Sequence, residues 1–524
     1  MKNKKLVSRL LKTLPLALTL TLAFCSRSGP GGVEEKPGAG SSPEITISAA
    51  ETPLEGGELR FGLTTEPATL DPLSPANTAD GRSILFNVFE GLVKPDGSGK
   101  LRHAAAASWT VEGGGLVYDF TLREGLTFHD GSPVSPEDVK FTLDTAVRAG
   151  FAGFTQSEKV ETEGSRNIRV TLKKPDPEFL PYITVGIVQK NNPDREKNAL
   201  GTGPFIIQSY TAQQSLVLVK NPAYWQKGLP HLDKVTFVFT ADSDALLLGL
   251  RGGSLDAASV TGSIVRQLDP AGFDAVPGFS ASVQLLALNN AVPPLDDIRV
   301  RQALNYGVDI RQIIDTAFYG EGEPSGSPLI PGLTQYYETA LKDPYPFNPA
   351  KARALLTEAG YGEGALTLEI TVPSNYTMHV DTAQVIVNQL SGIGVSAAIK
   401  LVDWATWLSD VYRGRNYQGT IISLDANNVS PRSFLARYLS GGGSNFMNFK
   451  SEAYDRAYEA ALTETGEAKR VDLYKEAQRI ISDNAAGVYI QDIIGFKVFP
   501  KGRFRGVVNY PLYVIDLASI YRIQ

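Results

Sequence analysis

The chain has 524 residues, of which 43% are hydrophobic, 20% charged and 9% aromatic, an ordinary globular composition that excludes collagen-like, coiled-coil and disordered classes. Fifty basic residues against 56 acidic ones give a net charge of −6, so no positive field gathers nucleic acid or anionic lipid. The one cysteine, Cys25, excludes an internal disulfide and every paired-cysteine metal or redox motif.

The N-terminus reads as an export signal. Met1–Lys12 carries Lys2, Lys4, Lys5, Arg9 and Lys12 with no acid, and Leu14–Phe24 is apolar nearly throughout. That run is too short to cross a bilayer as a helix, which takes about 20 residues. Leu22-Ala23-Phe24-Cys25 resembles the bacterial lipobox, departing from it at Phe24, where the pattern prefers a small residue. The resemblance implies removal of residues 1–25 as a signal peptide ending at the lipidation residue Cys25, whose sulfur carries a diacylglyceryl group. Ser26–Glu55 holds five Ser, five Gly and four Pro and builds no core; it reads as a flexible tether spanning about 30 Å. Processing takes the net charge from −6 to −11, which leaves lipid as the hold on the membrane.

The body from Gly56 onward reads as α/β. Ser135 and Asp138 are spaced as a capping box around Pro136, ahead of an apolar face at Val139, Leu143 and Ala146. His129-Asp130-Gly131 before it has a turn's chemistry in preference to a catalytic pair's. Val300, Ala303, Leu304 and Gly307 form one helical face, and Asp296-Asp297 suits that helix's N-terminus. Asn348 caps a helix with Pro349 at its first position and Gly360 as its stop. Leu366, Leu368, Ile370 and Val372 alternate with polar residues, Ala383, Ile386, Val387 and Leu390 follow at helical spacing, and Val395, Ala397, Ile399 and Leu401 alternate again. This is a β-α-β unit with parallel strands.

In open α/β sheets ligands bind outside the carboxyl ends of the strands. That rule selects Thr64-Thr65, Asn289-Asn290, Ser374-Asn375-Tyr376 and Asp425-Ala426-Asn427, polar tips on apolar strands. Trp404 and Trp407 stand at helical spacing, as either a packed face or stacking surfaces beside Tyr376. Catalytic motifs are absent: no Gly-x-Ser-x-Gly, no phosphate-binding Gly-x-x-x-x-Gly-Lys-Ser/Thr and no His-Glu-x-x-His. His103, His129, His231 and His379 lack ligand spacing, so neither a metal site nor a cofactor is expected.

An ordered set of motifs carries a more specific signal. Tyr118 to Gly131, running on through Val134 to Glu137-Asp138-Val139, resembles the signature region of family 5 of the extracellular solute-binding proteins, the group of the oligopeptide- and dipeptide-binding proteins. Pro67 to Pro72, Phe89-Glu90-Gly91-Leu92, Gly201 to Phe205, Asn221 to Trp225 and Arg299 to Leu304 recur in the family in the same order.

The resemblance implies a two-lobed Venus-flytrap fold that closes on a peptide or other small solute and delivers it to the permease of an ABC importer, without catalysis, as a monomer on the periplasmic side of the cell envelope. The implied division is 56–90, 200–290 and 490–524 for lobe I, an inserted subdomain at 91–199, and 291–489 for lobe II, with crossings near Asn289-Asn290 and Gln491. Peptide binders of the family carry an aspartate four residues before a proline, paired with the peptide's α-amine. Here Asn427 stands four residues before Pro431, so a free amine binds poorly unless Asp425 supplies the charge; losing such a buried pair costs about 3–5 kcal/mol. The expected ligand residues are Thr65, Asn289, Tyr376, Trp404, Asp425 and Asn427. A surface adhesin and a secreted hydrolase are the competing readings, expecting respectively an extended protein-binding patch and an activated nucleophile.

Overall fold

The computed structural model describes residues 52–523 except 75, 78, 152 and 427. The signal segment with Cys25, most of the tether and Asn427 therefore lie outside the described residues.

One eleven-stranded sheet runs through both lobes. Its strands are β1 (Glu58–Leu63), β2 (Phe205–Thr211), β3 (Ser215–Lys220), β4 (Lys234–Phe239), β5 (Ala257–Thr261), β6 (Phe273–Leu288), β7 (Gly322–Pro324), β8 (Leu366–Pro373), β9 (Val395–Val402), β10 (Gly419–Asp425) and β11 (Gly487–Pro500). Their order is β9-β8-β10-β6-β11-β5-β1-β4-β3-β2, with β7 on the side of β11. Only β6 and β11 belong to both halves. The far half of β11 pairs with the start of β6 and with β5, and its near half pairs with the end of β6.

The β-α-β unit forms as its periodicity requires: β8 and β9 pair in parallel from Leu366↔Val395 to Pro373↔Val402, joined by the helix Thr377–Ser391. Ala383, Ile386 and Leu390 bury one face of that helix against the sheet's aliphatic layer. Asn348 caps the helix Pro349–Glu358 by accepting from the Lys351 amide at 3.0 Å, and Asp297 caps Ile298–Gly307. Such caps contribute about 1 kcal/mol each.

The insertion has its own antiparallel sheet, Ala106–Glu112, Val117–Leu122, Asn167–Leu172 and Ser157–Glu163 in that spatial order, and its own core. The helix Pro136–Arg148 carries the complete capping box: Ser135 Oγ accepts from the Asp138 amide and Asp138 Oδ2 from the Ser135 amide.

The recurring motifs turn out to be joints. Glu90 accepts from Tyr224 Oη and Trp225 Nε1, each at 2.7 Å, so the Phe89–Leu92 and Asn221–Trp225 segments form one contact. His129 binds the Gly201–Phe205 segment, with Nε2 3.1 Å from the Gly203 carbonyl and Nδ1 accepting from the Gly201 amide at 3.3 Å. Glycine is required there: a Cβ on Gly201 would stand 1.9 Å from the Val88 carbonyl oxygen. Arg301, buried, ties the Asn484 and Ala485 carbonyls after the helix Glu467–Asp483 at 2.9 and 3.2 Å.

The crossing expected at Asn289-Asn290 falls just beyond the end of β6 at Leu288. The register of β6 against β11 breaks between Phe279 and Val283, where Ala281 takes φ 56°, and Asn289 lies beyond the far end of the strand. A turn-like polar pair after an apolar run looks the same in sequence whether the chain changes lobe there or simply ends a strand. Gln491, the other expected crossing, lies within β11 opposite Gln284 of β6.

Candidate solute site at the strand ends

Register places the site. β1 runs parallel to β5, Gly62 opposite Ala258, and β5 ends with Thr261 opposite Gly495 of β11. In the other lobe β8 runs parallel to β10, whose last residue Asp425 lies opposite Ser282 of β6. Ser282 N in turn lies 3.4 Å from Asp492 Oδ1. The carboxyl ends of the parallel strands in both lobes are therefore aimed at the same short stretch of the two crossing strands, where opposed loops make a binding cleft.

Of the expected ligand residues, Thr65, Tyr376, Trp404 and Asp425 stand at these ends and are exposed. Thr65 follows β1. Tyr376 sits just before the helix Thr377–Ser391, and its ring meets Trp404 edge-on at 5.6 Å and 83°. Trp404 stacks on Trp407 at 5.0 Å and 4°. Trp407 is buried and locked: Nε1 donates to Thr420 Oγ1 at 2.9 Å, and that hydroxyl donates to the Thr371 carbonyl at 2.6 Å. The pair divides because the helical turn Trp404–Thr406 passes at Trp407 into the wider π turn Trp407–Arg413. Trp407 thus joins the core while Trp404 and Tyr376, 37% and 36% exposed, form an aromatic corner.

Asn289, also expected as a ligand residue, faces the protein interior. It is fully buried; its Nδ2 donates to the Arg415 and Tyr417 carbonyls at 3.0 Å, and its Oδ1 accepts from Asn448 Nδ2 at 2.8 Å. Every polar atom of the amide is spent on holding the end of β6. Asn427 lies outside the described residues. Its neighbour Asn428 is buried, with Oδ1 accepting from the Ser430 amide and the Ser433 hydroxyl at 3.0 Å.

Sequence reasoning missed the polar chain beneath the aromatic corner. Gln491 Nε2 donates to Gln284 Oε1 at 2.8 Å, and Gln284 Nε2 lies 3.1 Å from both His379 Nδ1 and Thr382 Oγ1. All four are buried. Burial pushes His379 down to about 4, so the ring is neutral and accepts at Nδ1. Lys497 of β11 is likewise pushed down to about 8 by burial, its Nζ lying 3.4 Å from Asn509 Oδ1. A glutamine or a lysine in a strand carries no local signal of a distant partner, and only the register reveals it.

A two-lobed α/β frame whose parallel strands end toward the same stretch of two shared strands is the frame of a protein that captures a solute between its lobes. Residues 100–446 match the model of the bacterial extracellular solute-binding proteins, family 5, and the chain belongs to that family. It is 27% identical to heme-binding protein A of Haemophilus influenzae, over 96% of this chain and 97% of that protein. It is also 27% identical to the dipeptide-binding protein of Pseudomonas aeruginosa, over 85% and 93%. The fold matches the crystal structure of the ABC transporter substrate-binding protein CtaP of Listeria monocytogenes with a TM-score of 0.80 at 24% identity, covering 90% of this chain and all of that one. Family membership makes this a binding protein and not an enzyme, and it favours solute capture over the adhesin reading.

Proposed function

We propose that the chain is the substrate-binding component of an ABC importer, taking a peptide or peptide-like solute into the interlobe cleft and handing it to the membrane permease. The observation that carries this reading is the exposed edge-to-face pair of Tyr376 and Trp404 after the carboxyl ends of β8 and β9, in the lobe where exposed Asp425 ends β10. The relationship to a dipeptide-binding protein supports a peptide-like cargo. An aromatic edge-to-face corner suits a planar or apolar side chain, and an exposed carboxylate suits the solute's ammonium group.

The domains are drawn as above, with the β6 crossing moved to 279–283. The N-terminal segment is a lipoprotein signal, so that Cys25 carries the lipid anchoring a monomer to the membrane of the cell envelope. Its support is the charge and apolar pattern before Cys25 and the tether after it. An intact mass of the exported protein showing a diacylglyceryl group, lost in Cys25→Ser, is expected; an unmodified chain cut elsewhere contradicts the anchor.

Calorimetry with trialanine and N-acetyl-trialanine tests the amine assignment. Asp425→Asn is expected to weaken trialanine by about two decades and to leave the acetylated peptide unchanged. Equal effects on both peptides, or none, contradict it.

A further inference from the structure

On β11, Phe496 and Val498 pack into one core and Phe499 into the other, where it joins Phe61 of β1 and Ala257 of β5. Strand alternation puts Lys497 on the Phe499 face, with Gly495 next along it. Register sets its height: Gly62 lies opposite Ala258 and Lys497 opposite Ser259, so Lys497 is level with Leu63, the last residue of β1. The row Phe499, Lys497, Gly495 thus runs from the core of that lobe to the ends of its parallel strands.

Lys497 is half-buried, and its one hydrogen-bond contact among the described residues is the neutral amide oxygen of Asn509 at 3.4 Å. Asn509 is itself fixed: its Nδ2 donates to the Pro277 carbonyl, and a Cβ on Gly278 would stand 2.7 Å from its Oδ1. Asp516 attracts the ammonium from a distance, but its oxygens accept from Tyr510 Oη at 2.7 Å and from the Ala518 amide at 3.0 Å. Among the described residues no carboxylate comes within ion-pair distance of Lys497. Beside it the same face is bare: a Cβ on Gly495 would find its nearest neighbour, the Gly278 carbonyl oxygen, 4.0 Å away. A largely desolvated ammonium with one long contact to a neutral amide, next to open space, lacks an anion.

We propose that Lys497, with Asn509 beside it, is the seat of a carboxylate on the captured solute, which enters over Gly495 and completes the pairing of the ammonium. The assignment rests on the solute-binding reading above for the carrier of that carboxylate. Joined to Asp425 as the partner of an ammonium group, it narrows the cargo to solutes charged at both ends, such as a peptide with a free C-terminus. A charge-assisted contact of this kind is worth about tenfold in affinity or more.

Competitive labelling of the full chain tests the seat. Trace acetic anhydride acetylates neutral, reachable amines, and peptide mass mapping reads Lys497 against Lys197, whose side chain is 83% exposed. Lys497 is expected to react in sodium chloride and to react more slowly in excess sodium acetate at equal ionic strength, with Lys197 unchanged. Trialanine is expected to protect Lys497 about tenfold better than trialaninamide, and calorimetry to show the same preference, lost in Lys497→Met. Lys497 unlabelled while Lys197 reacts, no slowing by acetate, trialanine bound without protecting Lys497, or a preference that survives in Lys497→Met overturns the seat. Slowing by acetate with neither peptide bound upholds the seat and contradicts the peptide-like cargo instead.

Discussion

Gln491 and Gln284 meet at 2.8 Å, Nε2 to Oε1, across the two strands that join the lobes. The pair is fully buried, and Gln284 continues it to His379 and Thr382, so the crossing is held by side-chain amides as well as by the ladder. Gly322 of β7 lies against this pair: a Cβ there would stand 1.8 Å from Gln491 Oε1 and 3.3 Å from Ile314 Cγ1. Gly322→Ala is therefore expected to displace the Gln491 amide and to cost about 1–3 kcal/mol. Urea unfolding measures it; an unchanged midpoint contradicts a rigid crossing.

Glu90 supports a second buried joint. Glu90→Gln keeps one acceptor oxygen and is expected to cost less than Glu90→Ala, which strands Trp225 Nε1 at about 1–3 kcal/mol and leaves Tyr224 Oη to Gln226 Oε1 at 2.9 Å. Equal losses in the two variants would show that volume and not hydrogen bonding sets the cost.

The two tryptophans separate stability from binding. Trp407→Ala empties a core position and is expected to cost about 3–5 kcal/mol, whereas Trp404→Ala changes stability little. In solute titrations Trp404→Ala and Tyr376→Ala are each expected to weaken binding by up to about tenfold, the worth of one aromatic contact. Intact affinity in both variants removes the corner from the site.

Acid stability follows from two histidines. Burial pushes both His129 and His379 down to about 4 from an ordinary 6.5. Between those values the unfolded chain binds protons that the folded chain refuses. The contribution is whole above pH 6.5 and falls toward pH 4 by up to about 1.4 kcal/mol per pH unit for each ring. The decline between pH 6.5 and 5 is expected to flatten in His129→Gln and His379→Gln, read as unfolding free energy against pH. A slope that persists in the double variant assigns it to other groups.

What could be read in advance was local. The β8–β9 unit, the caps at Ser135, Asp297 and Asn348, and the turn at His129–Gly131 depend on residues within a few positions of one another. Tyr376 and Asp425 emerged from one rule about strand ends, and Trp404 from its spacing to Trp407. Asn289 satisfied the same rule and is fully buried, because an amide that caps backbone carbonyls and one that faces a cleft are the same residue in the sequence. Gln284, Lys497 and the Asp176–Arg432 pair were invisible because their meaning lies in partners hundreds of positions away or in the face of a strand.

The most direct test is native mass spectrometry of the protein purified from its own host, beside Asp425→Ala/Trp404→Ala treated identically. A peptide-like adduct of defined mass on the unsubstituted protein, absent from the double variant, is the expected outcome. An adduct of the same mass and occupancy on both proteins would place the cargo elsewhere and contradict a solute site at these strand ends.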